Sequence, residues 1–127
     1  MSFTITEIMN FNGRPFSYSQ SCAGMETILD KEAFAGDDTD KEMAIAIDFS
    51  AVTGLMIVST QDITLETNDG AAPDDTLALK ANEPVMWHDT SLHDNPLTAD
   101  VTKVFVTCAT AVAGTLTIGV AQDATPA

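Results

Sequence analysis

The sequence predicts an all-β chain: a jelly-roll-like antiparallel β-sandwich of eight or nine short strands. Three observations carry that expectation. Apolar and polar residues alternate through much of residues 43–122, as where Met43, Ile45, Ile47 and Phe49 are set against Ala44, Ala46 and Asp48. A pleated strand points successive side chains to opposite faces, so this beat buries one face and wets the other. Asp, Asn, Gly and Pro interrupt the beat every roughly 8–12 residues, the spacing of a sandwich or barrel. The long connection between His88 and Asp100 suits a strand crossing between sheets, which favours a jelly roll over an immunoglobulin-like sandwich.

Taken in order, residues 2–11 alternate through Phe3, Ile5 and Ile8 and read as an N-terminal strand. Residues 1–18 are expected to form an arm or edge strand of a single domain spanning 1–127. Asn12-Gly13 is a strong turn signal, and Pro15 restarts an extended segment through Phe16 and Tyr18. Residues 17–29 read as one long strand or two, with Gly24 at a bend or bulge. A short helix over 25–34 is the alternative. Residues 35–42 are polar and rich in Asp, which describes an exposed loop.

Strands are then expected at 43–50, 55–60, 62–68, 76–80, 84–88, 101–109 and 114–122. Their separators are Thr53-Gly54, Asn68-Asp69-Gly70, Pro73-Asp74-Asp75, Asn82-Glu83-Pro84, Asn95-Pro96 and Ala113-Gly114. Two segments break the alternation. Leu55-Met56-Ile57-Val58 is apolar on both faces, and Phe105 points away from Val104 and Val106. Such strands need cover on both sides, from a loop, from the N-terminal arm or from a second subunit. Partner-contact candidates are therefore Phe3, Ile5, Ile8 and Phe11 on the arm, and Met56, Val58 and Phe105 in the strands.

A chain of 127 residues is long enough to build one core, and 45% hydrophobic residues with mean hydropathy +0.10 argue against disorder. Five basic residues face nineteen acidic ones, a net charge of −14. Nucleic acid and anionic membrane surfaces repel such a chain, so neither is an expected partner. No apolar run approaches the roughly 20 residues that cross a bilayer. The first residues lack the charged and apolar regions of a signal peptide, so synthesis in a cytoplasm without export is the expectation. Cys22 and Cys108 are too few for a disulfide scaffold; Cys108 continues the face of Val104 and Val106 and reads as a small buried hydrophobe. A bridge between the two is the less favoured reading.

No catalytic signature is present. His88-Asp89 and His93-Asp94 offer zinc-type ligands, but a site needs three or four converging groups, and two loop histidines are the plainer account. Asp37-Asp38-Thr39-Asp40 with Glu42 offers oxygen ligands, yet lacks the glycine of a calcium loop and reads as a solvated acidic loop. Asp69, Asp74 and Asp75 form a second acidic loop, where an Asp caps a backbone turn. Trp87 shares the alternation of Val85 and reads as core, with a carbohydrate platform as the alternative. No serine stands in a nucleophile context and no glycine-rich phosphate loop occurs, so no enzyme activity and no cofactor are expected.

The stretch Val58-Ser59-Thr60-Gln61-Asp62-Ile63-Thr64-Leu65-Glu66-Thr67-Asn68, then Ala72-Pro73-Asp74-Asp75-Thr76-Leu77, Leu79-Lys80-Ala81, Pro84 and Trp87, resembles small structural proteins of tailed bacteriophages. Asn95-Pro96-Leu97, the run from Val101 to Thr107 and Leu116-Thr117-Ile118 continue the likeness, which covers the C-terminal two thirds. The pattern is one of strands and turns. It implies a head cement or decoration protein on the virion surface, often trimeric, whose partner is the major capsid protein. A tail-associated structural protein and a carbohydrate-binding module are the alternatives. Copies crowded at −14 each repel within about 10 Å at 0.1 M salt. The binding face is therefore expected to be poor in carboxylates, with Asp37, Asp38, Asp40, Asp74 and Asp75 on outward loops.

Overall fold

The computed structural model describes residues 2–23, 25–92 and 94–123. Ten strands follow in chain order: β1 (Ser2–Phe11), β2 (Arg14–Ala23), β3 (Met25–Phe34), β4 (Lys41–Ile47), β5 (Val52–Ser59), β6 (Ile63–Thr67), β7 (Thr76–Leu79), β8 (Val85–His88), β9 (Val101–Cys108) and β10 (Gly114–Gln122). The pairing is that of a long hairpin rolled up. β3 pairs with β10, β4 with β9, β5 with β8 and β6 with β7, all antiparallel. β10 also pairs with β5, and β9 with β6, which closes two four-stranded sheets ordered β3-β10-β5-β8 and β4-β9-β6-β7. This is jelly-roll topology.

The sandwich itself has eight strands, and β1 and β2 add a separate two-stranded sheet. Residues 25–34 are a strand and not the alternative helix. The reason is long-range: β3 pairs with β10 along its whole length, with Lys31 at positive φ (48°) near the irregularity between Leu116 and Ile118. The strand expected over 43–50 ends at Ile47. Asp48 caps one turn of 3-10 helix at Phe49–Ala51, accepting from the Ser50 N–H at 3.1 Å. Phe49, read as part of the alternation, is therefore in a turn and partly exposed.

The inward faces interlock as the period-two pattern requires. Leu55, Ile57, Leu116, Ile118 and Val120 of one sheet meet Met43, Ile45, Leu65, Val104 and Val106 of the other. Cys108 is buried with a free thiol, so the bridge to Cys22 is absent; the Cys22 side chain lies outside the described residues. Trp87 and Val85 pack against this core from β8.

Loop contacts hold the ends of the roll. The Asp37 N–H donates to the Thr110 carbonyl at 2.8 Å, and the Cys108 N–H to the Asp38 carbonyl at 2.8 Å. Gly36 lies so close to the Ala111 backbone that a Cβ would overlap its carbonyl. Backbone cannot move aside as a side chain can, so Gly36→Ala is expected to cost about 1–3 kcal/mol. Thermal unfolding checks this; an unchanged midpoint would show that the loop simply shifts.

Candidate functional site

The feature that sets this jelly roll apart is its N-terminal hairpin. Asn12 and Gly13 both have positive φ, 52° and 84°, as the two-residue turn of a tight hairpin requires. That turn sets the register, pairing Phe11 with Arg14, Met9 with Phe16 and Ile8 with Ser17. Thr6 and Ser19 hydroxyls meet at 2.9 Å across the ribbon. β2 lies against β5 and β10 of the sandwich. Ile8 is 71% exposed, Met9 55% and Phe16 57%, so the outer half of the ribbon presents large apolar groups to water. The side chains of Phe3, Ile5 and Phe11 lie outside the described residues.

Beneath the hairpin is the outer face of the β3-β10-β5-β8 sheet. Register places Ile28, Gly119, Met56 and Met86 side by side in one row across all four strands. Gly119 leaves a gap in that row, where a Cβ would just touch the Met56 methyl at 4.0 Å. Val58 opposes Thr117 in the neighbouring row. A cleft of about 350 Å³ separates the hairpin from β8, lined by Thr6, Ile8 and Met9 on one side and Pro84 and Met86 on the other. None of these lining residues is ionisable.

The seven candidate contact residues thus fall in three places. Phe3, Ile5, Ile8 and Phe11 are in β1, and Met56 and Val58 are on the sheet face toward the hairpin. Phe105 is on the outer face of the opposite sheet, beside Glu42 and Glu66 in register. The Lys103 ammonium sits 5.6 Å from the Phe105 ring centre and 3.6 Å from Glu42. A cation over the ring and flanking carboxylates make Phe105 part of a polar surface, and it does not share a patch with Met56. Met9, Phe16, Ile28 and Met86 were not singled out by sequence reasoning. The Asn12-Gly13 turn contained the signal for Met9 opposite Phe16, because a two-residue loop dictates which residues pair. The row through Met86 left no such signal.

The polar candidates serve the backbone. His88 Nδ1 meets the Thr90 hydroxyl at 2.8 Å and the His88 N–H donates to Ser91 Oγ at 3.0 Å, which ties a tight turn after β8. His93 lies outside the described residues. Asp75 accepts from the Thr98 N–H at 2.9 Å and hydroxyl at 2.8 Å. Asp38 accepts from the Ala35 N–H at 2.7 Å. Asp37, Asp40 and Asp74 are exposed on loops, while Asp38 and Asp75 are partly buried by these bonds. Among the described residues no three His, Cys, Asp or Glu side chains stand together in a metal-holding arrangement.

Asp69 accepts from the Ala71 N–H at 2.8 Å, and the backbone N–H groups of Ala71 and Ala72 hold its carboxyl below the ordinary value of 3.8. A lowered folded value means stability present above pH 3.8 and lost as pH falls through the lower folded value. Asp69→Asn is therefore expected to lower stability slightly at neutral pH, leave it nearly unchanged in acid below the folded value, and so flatten the acid limb. Denaturant unfolding across pH 2–5 measures it; an unchanged acid limb would count against the capping role.

Trp87 pairs in register with Leu55 and packs, partly buried, against the core. Comparison with protein-family models, curated proteins and solved structures finds no match to this chain.

Proposed function

We propose that this chain is a virion structural protein of a tailed phage, a cement or decoration subunit that binds the head shell and stabilises neighbouring capsomers. One observation carries most of the weight. Within a chain of net charge −14, the hairpin segment 1–25 contains one acidic residue, Glu7, and one basic residue, Arg14. The hairpin is a net-neutral extended ribbon attached to an acidic jelly roll. Acidic loops keep crowded copies apart, while a neutral ribbon with apolar side chains meets a surface at little electrostatic cost. An extended ribbon also docks by backbone pairing at a sheet edge without needing a deep pocket.

The partner in this reading is the major capsid protein, and the resemblance to phage structural proteins adds a homo-oligomer, a trimer in many such subunits. The work is adhesion, with no substrate turned over. Purified chain added to expanded capsids that lack it should bind to saturation and raise their disruption temperature. A chain without residues 1–23 should stay folded and fail to bind. Capsids that ignore the intact chain would overturn the reading, and transfer of binding to purified tails would relocate it to the tail.

A further inference from the structure

We propose that the free edge of β1 is a self-association site, which takes the β1 strand of a second copy of this chain in antiparallel pairing. Among the described residues, β1 is hydrogen-bonded in a ladder to β2 alone. Its other edge runs for ten residues with no proline and one charged side chain, Glu7. Sheet edges of this length are normally blunted by Lys, Pro, a bulge or a covering element. β2 has such a device in Pro15 beside Arg14, and β1 has none.

The cleft beside the hairpin runs along β1 and keeps Pro84 and Met86 from packing directly against it. It is lined by Thr6, Ile8 and Met9, which include adjacent residues of opposite parity, as expected along an edge and not a face. Among the described residues, none from β2 lines it.

Charge selects the occupant. Outside residues 1–25 the chain has eighteen acidic and four basic residues, so that part holds the entire −14. Two copies repel through the summed charge of residues 26–127, whereas the hairpin of each contributes a net charge of zero. A basic partner would instead be drawn to the acidic roll. A second copy is thus the partner for which the neutral ribbon is the favourable approach. Two identical strands related by a two-fold axis pair antiparallel, and this contact closes on itself without propagating into fibres. A register centred on Glu7 sets it against its own copy and is disfavoured by like charge, while centring the two-fold on Ile8 sets Glu7 opposite Met9.

The turn chemistry supplies a clean test. In a hairpin with a two-residue loop, Phe11 and Arg14 exchange hydrogen bonds, so alternate residues Thr6 and Ile8 direct their N–H groups away from β2. Thr6→Pro therefore removes an outward donor and spares the β1–β2 ladder. Ile8→Lys places a charge on the edge without touching the backbone. The intact chain should sediment at about twice its 13.4 kDa mass, more completely as salt screens the repulsion. Both variants should be monomers with unchanged circular dichroism. A monomeric parent overturns the proposal, whether or not it binds capsids. So does an assembly, dimer or trimer, that survives both substitutions. Capsid binding by monomeric variants would leave the decoration role standing and confine β1 to self-association.

Discussion

Leu55→Ala is expected to destabilise the fold by about 2–5 kcal/mol, the range for emptying a fully buried leucine site. Leu55 is at 0% exposure, pairs in register with Val120 and Trp87, and lies in the central part of the core. Its neighbours come from three strands of one sheet and cannot all follow a shrinking side chain, so a cavity remains. For a domain of this size the melting midpoint should fall by about 10 °C or more. Met56→Ala, one residue along, is the control. Met56 faces the hairpin and is only partly buried, so its truncation should cost clearly less. Equal losses at the two positions would mean that the hairpin completes a second core as tight as the first.

Asn68→Ala should cost about 2–3 kcal/mol, from two separable causes. Asn68 has φ of 68°, in the left-handed region that Asn tolerates and Ala does not. Its amide also links three segments. The NH₂ group donates to Asp74 at 2.6 Å and to the Asp100 carbonyl at 2.7 Å, while its oxygen accepts from the Thr102 N–H at 2.9 Å. Asn68→Gly restores the backbone freedom and should recover about 1 kcal/mol, leaving the hydrogen-bond share exposed. Asn68→Asp keeps the acceptor but sets a carboxylate against Asp74, so its penalty should shrink in high salt. Chemical denaturation of the three variants reads all of this. A loss below about 0.5 kcal/mol in Asn68→Ala would refute the linking role.

Asn68 also shows where sequence reading stops. The segment Asn68-Asp69-Gly70 was legible as a turn because Asn, Asp and Gly have local reasons to leave a strand. That Asn68 is a hub was not legible, since Asp100 and Thr102 are 32 and 34 residues away. The Asp75 bond to Thr98 spans 23 residues and was equally hidden. The surroundings of Phe105 were hidden in the same way. Its apolar character suggested a contact surface, but Lys103, Glu42 and Glu66 are brought beside it by strand pairing. The candidate site was half visible: Ile8 and the Asn12-Gly13 turn were in view, while the row Ile28, Gly119, Met56 and Met86 was assembled by three separate ladders.

Local chemistry determined what could be read directly. Period-two alternation dictates strand and inward face, positive-φ residues dictate turns, and the charge count places the acidity outside the hairpin. Each depends on residues within a few positions of one another. Tertiary structure decided which strands pair, that β1 and β2 stand apart as their own sheet, and which apolar face they cover. Backbone hydrogen bonds are nearly blind to side-chain identity, so one set of strands is compatible with many orders. The order found here is the one in which two inward faces close on a single core, and that is a property of the whole chain.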